Sequence, residues 1–169
     1  MAIRIVPASG LEKIFLDGGP SGTYSGGSLL TNEQYSFQFA FTGIPGLSPA
    51  WAFAQLGVES DISDHLDLYL VENVPVALPT YPQYDNGYLR TEPGLYPDPL
   101  FPLKDRKVKV LAGKWHAVWV RTKGEIPPGT HKVVMTLSAE GQDPASAEIT
   151  LRVIAARLPE QKLLYTNWF

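Results

Sequence analysis

The stretch whose reading decides the fold is KWHAVWVRTKGEIPPGTHKVVMTLSA, residues 114–139. Along WHAVWVRT, Trp115, Ala117 and Trp119 fall on one face and His116, Val118 and Val120 on the other, the two-residue period of a β-strand. Both faces are largely apolar, so this strand belongs to a core with two sides. THKVVMTL is rich in β-branched residues and predicts a second strand, with His131, Val133, Met135 and Leu137 on one side. Between them Pro127 and Pro128 fix two φ angles and remove two N–H donors, and Gly129 supplies the positive φ that turns the chain back. The expectation is a hairpin around which the rest must pack.

Outward from this centre, the chain of 169 residues is 44% hydrophobic and 18% charged, enough to bury a core and most simply one domain. With 15 Gly and 15 Pro it is cut into short segments, and no stretch carries an apolar period of 3.6 residues long enough for a helix. The composition predicts an all-β protein. The net charge is −3 with scattered Lys and Arg, which argues against a nucleic-acid partner. Without cysteine there is neither disulfide nor thiol chemistry. Neither a signal-peptide pattern at MAIRIVPASG nor an apolar run approaching the ~20 residues of a membrane span is visible, so no membrane partner and a cytoplasmic location are expected.

In chain order, residues 2–7 and 13–16 are short strand candidates, and GGPSGTYSGG at 18–27 reads as a loop. EQYSFQFAFTG alternates, with Tyr35, Phe37, Phe39 and Phe41 on one face. GIPGLSP breaks it, and strands around 51–58 and 66–74 follow, separated by the acidic loop ESDISDH. After a long Pro/Tyr-rich loop, strands are expected at 107–112, in the central pair and at 148–155, where Ile149, Leu151 and Val153 face inward. Eight or nine strands suffice for a two-sheet antiparallel β-sandwich, immunoglobulin-like or jelly-roll-like.

The loop itself is unusual. Seven of the 15 prolines and four of the 8 tyrosines fall between Pro75 and Pro102. Structureless loops beyond ~15 residues are uncommon in compact domains, and this one is too apolar for a solvated tail. It should pack against something.

These residues resemble a known family. NEQYSFQFAF near residue 35, EPGLYPDPLFPL near residue 98, the Trp-bearing strand with IPPGTHKVVMTL, and the closing RLPEQKLLYTNWF are similar to the N-terminal β-sandwich domain that precedes the catalytic (β/α)8 barrel in bacterial glycoside hydrolase family 123 and related glycoside-hydrolase-like proteins. The specific part of the likeness is Tyr-Pro-Asp-Pro-Leu combined with the Trp strand and the Pro-Pro-Gly turn. The resemblance implies a sandwich over 1–157, and a segment over 158–169 that leads into a barrel absent from this chain. It also implies a non-catalytic accessory role, with that barrel as the intramolecular partner. The family's adjacent Asp-Glu pair has no counterpart, because no Asp-Glu dipeptide occurs here.

The residues agree with a non-enzymatic reading. Glycoside cleavage needs carboxyl groups at a defined separation, or one with a substrate group assisting. The available cluster, Glu59, Asp61, Asp64 and Asp67, sits in an inter-strand loop without a calcium-loop pattern and reads as solvated. His65, His116 and His131 show no metal-ligand spacing; His116 and His131 could meet across the hairpin as a structural pair, but a third ligand is missing. No serine sits in a G-x-S-x-G setting, and SGTYSGG follows no βαβ unit. No catalytic residue, metal or cofactor is expected. The candidate contact residues are Tyr81, Tyr84, Tyr88, Tyr96, Asp98 and Trp168. Three readings of them stand open: packing against the barrel, capping of the sandwich, or stacking under sugar rings, the last making the chain a free-standing carbohydrate-binding module.

Overall fold

Phe37, Phe39 and Phe41 are completely buried, yet the residues between them, Gln38 and Ala40, are buried as well. A strand with both faces covered lies inside a sheet that is itself sandwiched. The computed structural model describes residues 2–44, 50–77, 83, 87–160 and 162. Among these it shows an all-β architecture, two five-stranded sheets packed face to face, with one short 3-10 turn at Ser63–His65. The strands are β1 (Ile3–Ser9), β2 (Gly26–Leu30), β3 (Ser36–Gly43), β4 (Trp51–Glu59), β5 (Leu66–Val76), β6 (Gly94–Pro102), β7 (Lys107–Leu111), β8 (His116–Thr122), β9 (Gly129–Ala139) and β10 (Ala145–Ile154). One sheet has the order β1-β3-β8-β5-β6 and the other β2-β10-β9-β4-β7. Pairing is antiparallel except between β2 and β10, which run parallel.

The expected hairpin at 114–139 is not formed. β8 is the middle strand of the first sheet and β9 the middle strand of the second, so Pro127-Pro128-Gly129 ends an arch between sheets. The physical reason lies in what the strands need on each side. β8 requires a hydrogen-bonding neighbour on both edges and finds β3 and β5, while β9 finds β4 and β10. Ile126, in the arch, is buried in the inter-sheet core and its N–H donates to the Thr31 carbonyl at 2.7 Å, which seats the crossing. Gly129 does adopt positive φ, 150°. His116 opens β8 and His131 lies near the start of β9, at opposite ends of the sandwich, so the two do not meet.

The core between the sheets joins Phe37, Phe39, Phe41, Val118 and Val120 to Leu56, Val133, Met135, Leu137, Ile149 and Leu151. At roughly 2 kcal/mol per fully buried large side chain, the three phenylalanines are among its largest contributors. Trp115 and Trp119 face the other way. They pack with Ala8, Ile14, Ala40, Val71 and Ala117 on the outer side of the first sheet. The cover there is the segment 10–19, expected in part as a strand at 13–16, but in fact an irregular strap. It is tied down by Gln38, whose buried side-chain amide donates to the Ser9 and Glu12 carbonyls at 2.9 and 2.7 Å, and by Trp115 N–H to Leu16 O at 2.9 Å. At Gly19 a Cβ would lie 2.6 Å from the Trp115 ring, so only glycine lets the strap end this close.

Two strands were not anticipated. β2 begins at Gly26, inside the expected Gly/Ser loop, where backbone alone meets β10. β6 is cut from the Pro/Tyr-rich loop, and its prolines are tolerated because it is an edge strand of the first sheet. A register shift between Val71 and Asn73 of β5 accommodates it.

Candidate functional site

The strap crosses the sandwich toward β6 and the residues preceding it, and here three of the expected contact residues come together. The Lys13 ammonium bridges the Pro97 carbonyl at 3.1 Å and the Asp98 carboxylate at 3.2 Å. Two residues on, Phe15 meets the Tyr96 ring in a T-shaped contact, with centroids 5.5 Å apart and planes at 83°. Its face carries the Arg90 guanidinium, 3.8 Å from the centroid. Arg90 in turn pairs with Asp17 at 2.6 and 3.0 Å. The hydrogen bond from Arg90 holds the Asp17 carboxyl below its ordinary range, against a smaller opposing effect of burial, and Asp17 holds Arg90 charged. Tyr96 donates its hydroxyl to Glu92 O at 2.6 Å.

Together these groups wall a shallow groove of about 370 Å³, whose sides include Phe15, Val76, Tyr88, Leu89 and Tyr96. Strand alternation explains the placement. Tyr96 and Asp98 are two residues apart on β6 and share the face toward the strap, while Leu95 and Phe101 project from other positions of this edge and are exposed. Of the expected contact residues, Tyr88, Tyr96 and Asp98 lie at this corner; Tyr81, Tyr84 and Trp168 lie outside the described residues. With its hydroxyl bound to backbone and its ring in a T-shaped contact with Phe15, Tyr96 acts as a structural post. Asp98 is exposed and pairs with Lys13. The sequence reading missed Phe15, Asp17 and Arg90 because their partnership spans some seventy residues of chain and leaves no local pattern.

Several other charged groups are engaged with partners. Asp67 accepts from Lys123 at 2.6 Å and Arg121 at 2.9 Å, which lower its pKa in that order. Asp61 meets His131 Nδ1 at 2.7 Å, and His131 Nε2 faces the Pro127 carbonyl at 2.9 Å. Two acceptors on the two ring nitrogens call for the doubly protonated imidazolium. Burial works against that charge, but Asp61 and the Pro127 carbonyl outweigh it and the His131 pKa is raised. The acidic stretch expected as solvated is thus partly engaged: two of its four members hold fixed cationic partners. Among the described residues no group of three or more His, Asp or Glu side chains is arranged to hold a metal ion.

A second arrangement lies on the opposite side of the molecule. Trp51 and Phe53 alternate with the buried Ala54 and Leu56 on β4, so they stand on the outer face of the second sheet, each about half exposed. Their rings meet edge to face at 5.7 Å. Lys109 lies 5.0 Å from the Trp51 centroid and Lys107 lies 4.6 Å from that of Phe53. Its sequence signal was the alternation WAFAQ, read only as a strand.

By sequence, no family profile matches the chain, and no curated relative matches it. Solved structures do. A family 123 glycoside hydrolase from Clostridium perfringens superposes with a TM-score of 0.65 at 9% identity, over 94% of this chain and 28% of that one. A sporulation control protein from Bacillus subtilis matches with a TM-score of 0.42 at 12% identity over 92% of this chain and 51% of that one. A type I cohesin from Pseudobacteroides cellulosolvens matches at 0.39 and 8% identity over 96% and 99%. The chain therefore spans little more than a quarter of the glycoside hydrolase it resembles, and what it shares with that protein is the fold of one β-sandwich portion.

Proposed function

We propose that this chain is a non-catalytic accessory domain, the N-terminal β-sandwich of a longer glycoside-hydrolase-like protein, which packs against a catalytic barrel reached through residues 158–169. The observation that carries the reading is the match of nearly the whole chain, 94%, to only 28% of a family 123 glycoside hydrolase. The site geometry supports it from the other side. At the β6 corner the carboxylates of Asp98 and Asp17 are engaged as ion-pair partners of Lys13 and Arg90.

The surface suited to the barrel is the flank carried by β6. Leu89, Leu95, Leu100 and Phe101 are all exposed there, Leu89 by 74% and Phe101 by 57%. Exposed apolar side chains gathered along one edge mark an interaction surface. Pro97, Pro99 and Pro102 remove N–H donors from that edge, which disfavours extension of the sheet by another strand and leaves side-chain packing as the mode of docking. The occupant is the remainder of the same polypeptide.

The test is made in the longer protein. Hydrogen exchange of the β6 amides should be slower there than in the isolated chain. Leu100→Asp with Phe101→Asp should release the domain, seen as an increased radius of gyration in small-angle scattering, while leaving the isolated chain folded. A natural reading frame that closes at Phe169, β6 exchange unchanged by the remainder, or hydrolysis of an aryl glycoside by this chain alone would each defeat the proposal.

A further inference from the structure

We infer that the outer face of the second sheet, centred on Trp51, Phe53, Lys107 and Lys109, is a binding platform for an acidic saccharide chain. This stands apart from the docking proposal, because it uses the opposite sheet and a different set of residues.

The first observation is the exposure of the aromatic pair. Among the described residues, Trp51 is 49% and Phe53 52% exposed, at alternate positions of one strand. Two large aromatic side chains left together on an open sheet face present C–H-accepting surface at a spacing of about 7 Å along the strand. The second is charge. Register places Lys109 opposite Phe53 and Lys107 opposite Gln55, so the ammonium groups stand on the same face as the rings. Lys107 and Lys109 are thus two cations side by side on this face of a chain whose net charge is −3. An anion approaching the rings is met by two ammonium groups already held within 5.0 Å of them.

The third is the ground beside the rings. Moving across the sheet from Gln55, the register brings Ser138 next, and Gly57 faces Thr136, whose hydroxyl pairs with that of Ser146 at 2.8 Å. These side chains are short, neutral and hydrogen-bonding, so the face is a flat shelf and not a groove. A pyranose chain bearing carboxylate or sulfate groups answers each part: its C–H faces lie on aromatic rings, its hydroxyls meet the Gln, Thr and Ser side chains, and its anionic groups meet the lysines. An acidic peptide would bring apolar or backbone groups that a flat hydroxylated shelf does not serve, and it would bind more naturally at a free strand edge. A nucleic acid would need more phosphate-neutralising cations than this patch holds.

The chain remote from β6 also gives this patch independence. β4 begins at the end of the sandwich where β9 finishes, opposite the end where Ala156 and Leu158 are tied to Thr31 and Asn32. A domain following residue 158 would start from the end of the sandwich far from Trp51.

The experiment is a titration of the isolated chain followed by NMR and calorimetry. The probes are tetragalacturonate, a heparin tetrasaccharide, a neutral galactan tetrasaccharide, poly-glutamate and a single-stranded oligonucleotide. At least one acidic saccharide should bind and shift the Trp51 indole resonance. Trp51→Ala with Phe53→Ala should weaken binding about tenfold or more. Lys107→Gln with Lys109→Gln should weaken it similarly and flatten its salt dependence, while Trp51→Phe should largely retain it. All these sites are on the surface, and an unchanged circular dichroism spectrum verifies folding. The inference is overturned if neither acidic saccharide perturbs Trp51, if the neutral saccharide binds as well, or if poly-glutamate or the oligonucleotide binds at least as tightly.

Discussion

Asn32 and Leu158, 126 residues apart, exchange a pair of hydrogen bonds: Leu158 N–H donates to Asn32 Oδ1 at 2.8 Å and Asn32 Nδ2 donates to Leu158 O at 3.1 Å. The asparagine amide thereby acts as a length of backbone strand, pairing with the chain after β10. Together with Ala156 N–H and carbonyl contacts around Thr31 and Ile154, it fixes the direction in which the chain leaves the sandwich. Asn32→Ala should cost about 1 kcal/mol, the net worth of an exposed pair of such bonds. The Leu158 amide should lose its protection from hydrogen exchange while the β9 amides keep theirs; equal protection in both proteins would show that the pairing does not anchor the exit.

The His131–Asp61 pair makes a pH-dependent contribution. His131 has a folded pKa raised above 6.5, so its contribution is complete below the unfolded value and is lost as pH rises through the folded one. Asp61 is depressed below 3.8, so its contribution is present above that value and is lost as pH falls through the folded one. The pair thus stabilises most between these two limits. The difference in Tm between the native protein and Asp61→Asn should be larger at pH 5 than at pH 8.5. A difference that grows with pH would contradict the imidazolium assignment.

At Gly19 an added methyl group meets the Trp115 ring at 2.6 Å, and the Arg4 guanidinium already lies 5.6 Å from that ring. Gly19→Ala should therefore displace the strap or the indole and destabilise by about 1–3 kcal/mol, the usual cost of overpacking. Urea unfolding monitored by tryptophan fluorescence reads both effects at once, and an unchanged emission maximum with unchanged stability would mean the strap end is loosely held.

Gln38 is the polar peg beneath the strap. Gln38→Leu fills the same space but leaves the Ser9 and Glu12 carbonyls without their side-chain donor. A loss of about 2–3 kcal/mol is expected, since buried groups stripped of a partner lose their solvation as well. Chemical denaturation measures it, and proteolysis within residues 10–19 should accelerate in parallel.

Much of the fold can be read in particular stretches. The alternation Tyr35, Phe37, Phe39, Phe41 and the run Ile149, Leu151, Val153 announce strands and their buried faces, and the structure places those residues in the core. The double-sided character of β8 is equally visible in WHAVWVRT, and it does mark the middle of a sheet covered on two sides. What led the reading astray was connection: two strands joined by Pro-Pro-Gly look like a hairpin locally, and only their competition for other partners assigns them to different sheets. β6 escaped notice because prolines suppress the strand signal, yet an edge position tolerates them. The Phe15–Arg90–Asp17 cluster had no local signature at all.

The sequence by itself determined that this chain is all-β and which faces of its strong strands turn inward, because strand periodicity and residue chemistry are properties of a few neighbouring positions. The tertiary structure alone decided which strands pair, that segment 10–19 covers the outer side of the first sheet, and that Trp51 and Phe53 are left facing solvent beside two lysines. Those outcomes depend on hydrogen-bonding edges and apolar surfaces competing across the whole chain, and no window of sequence contains both competitors.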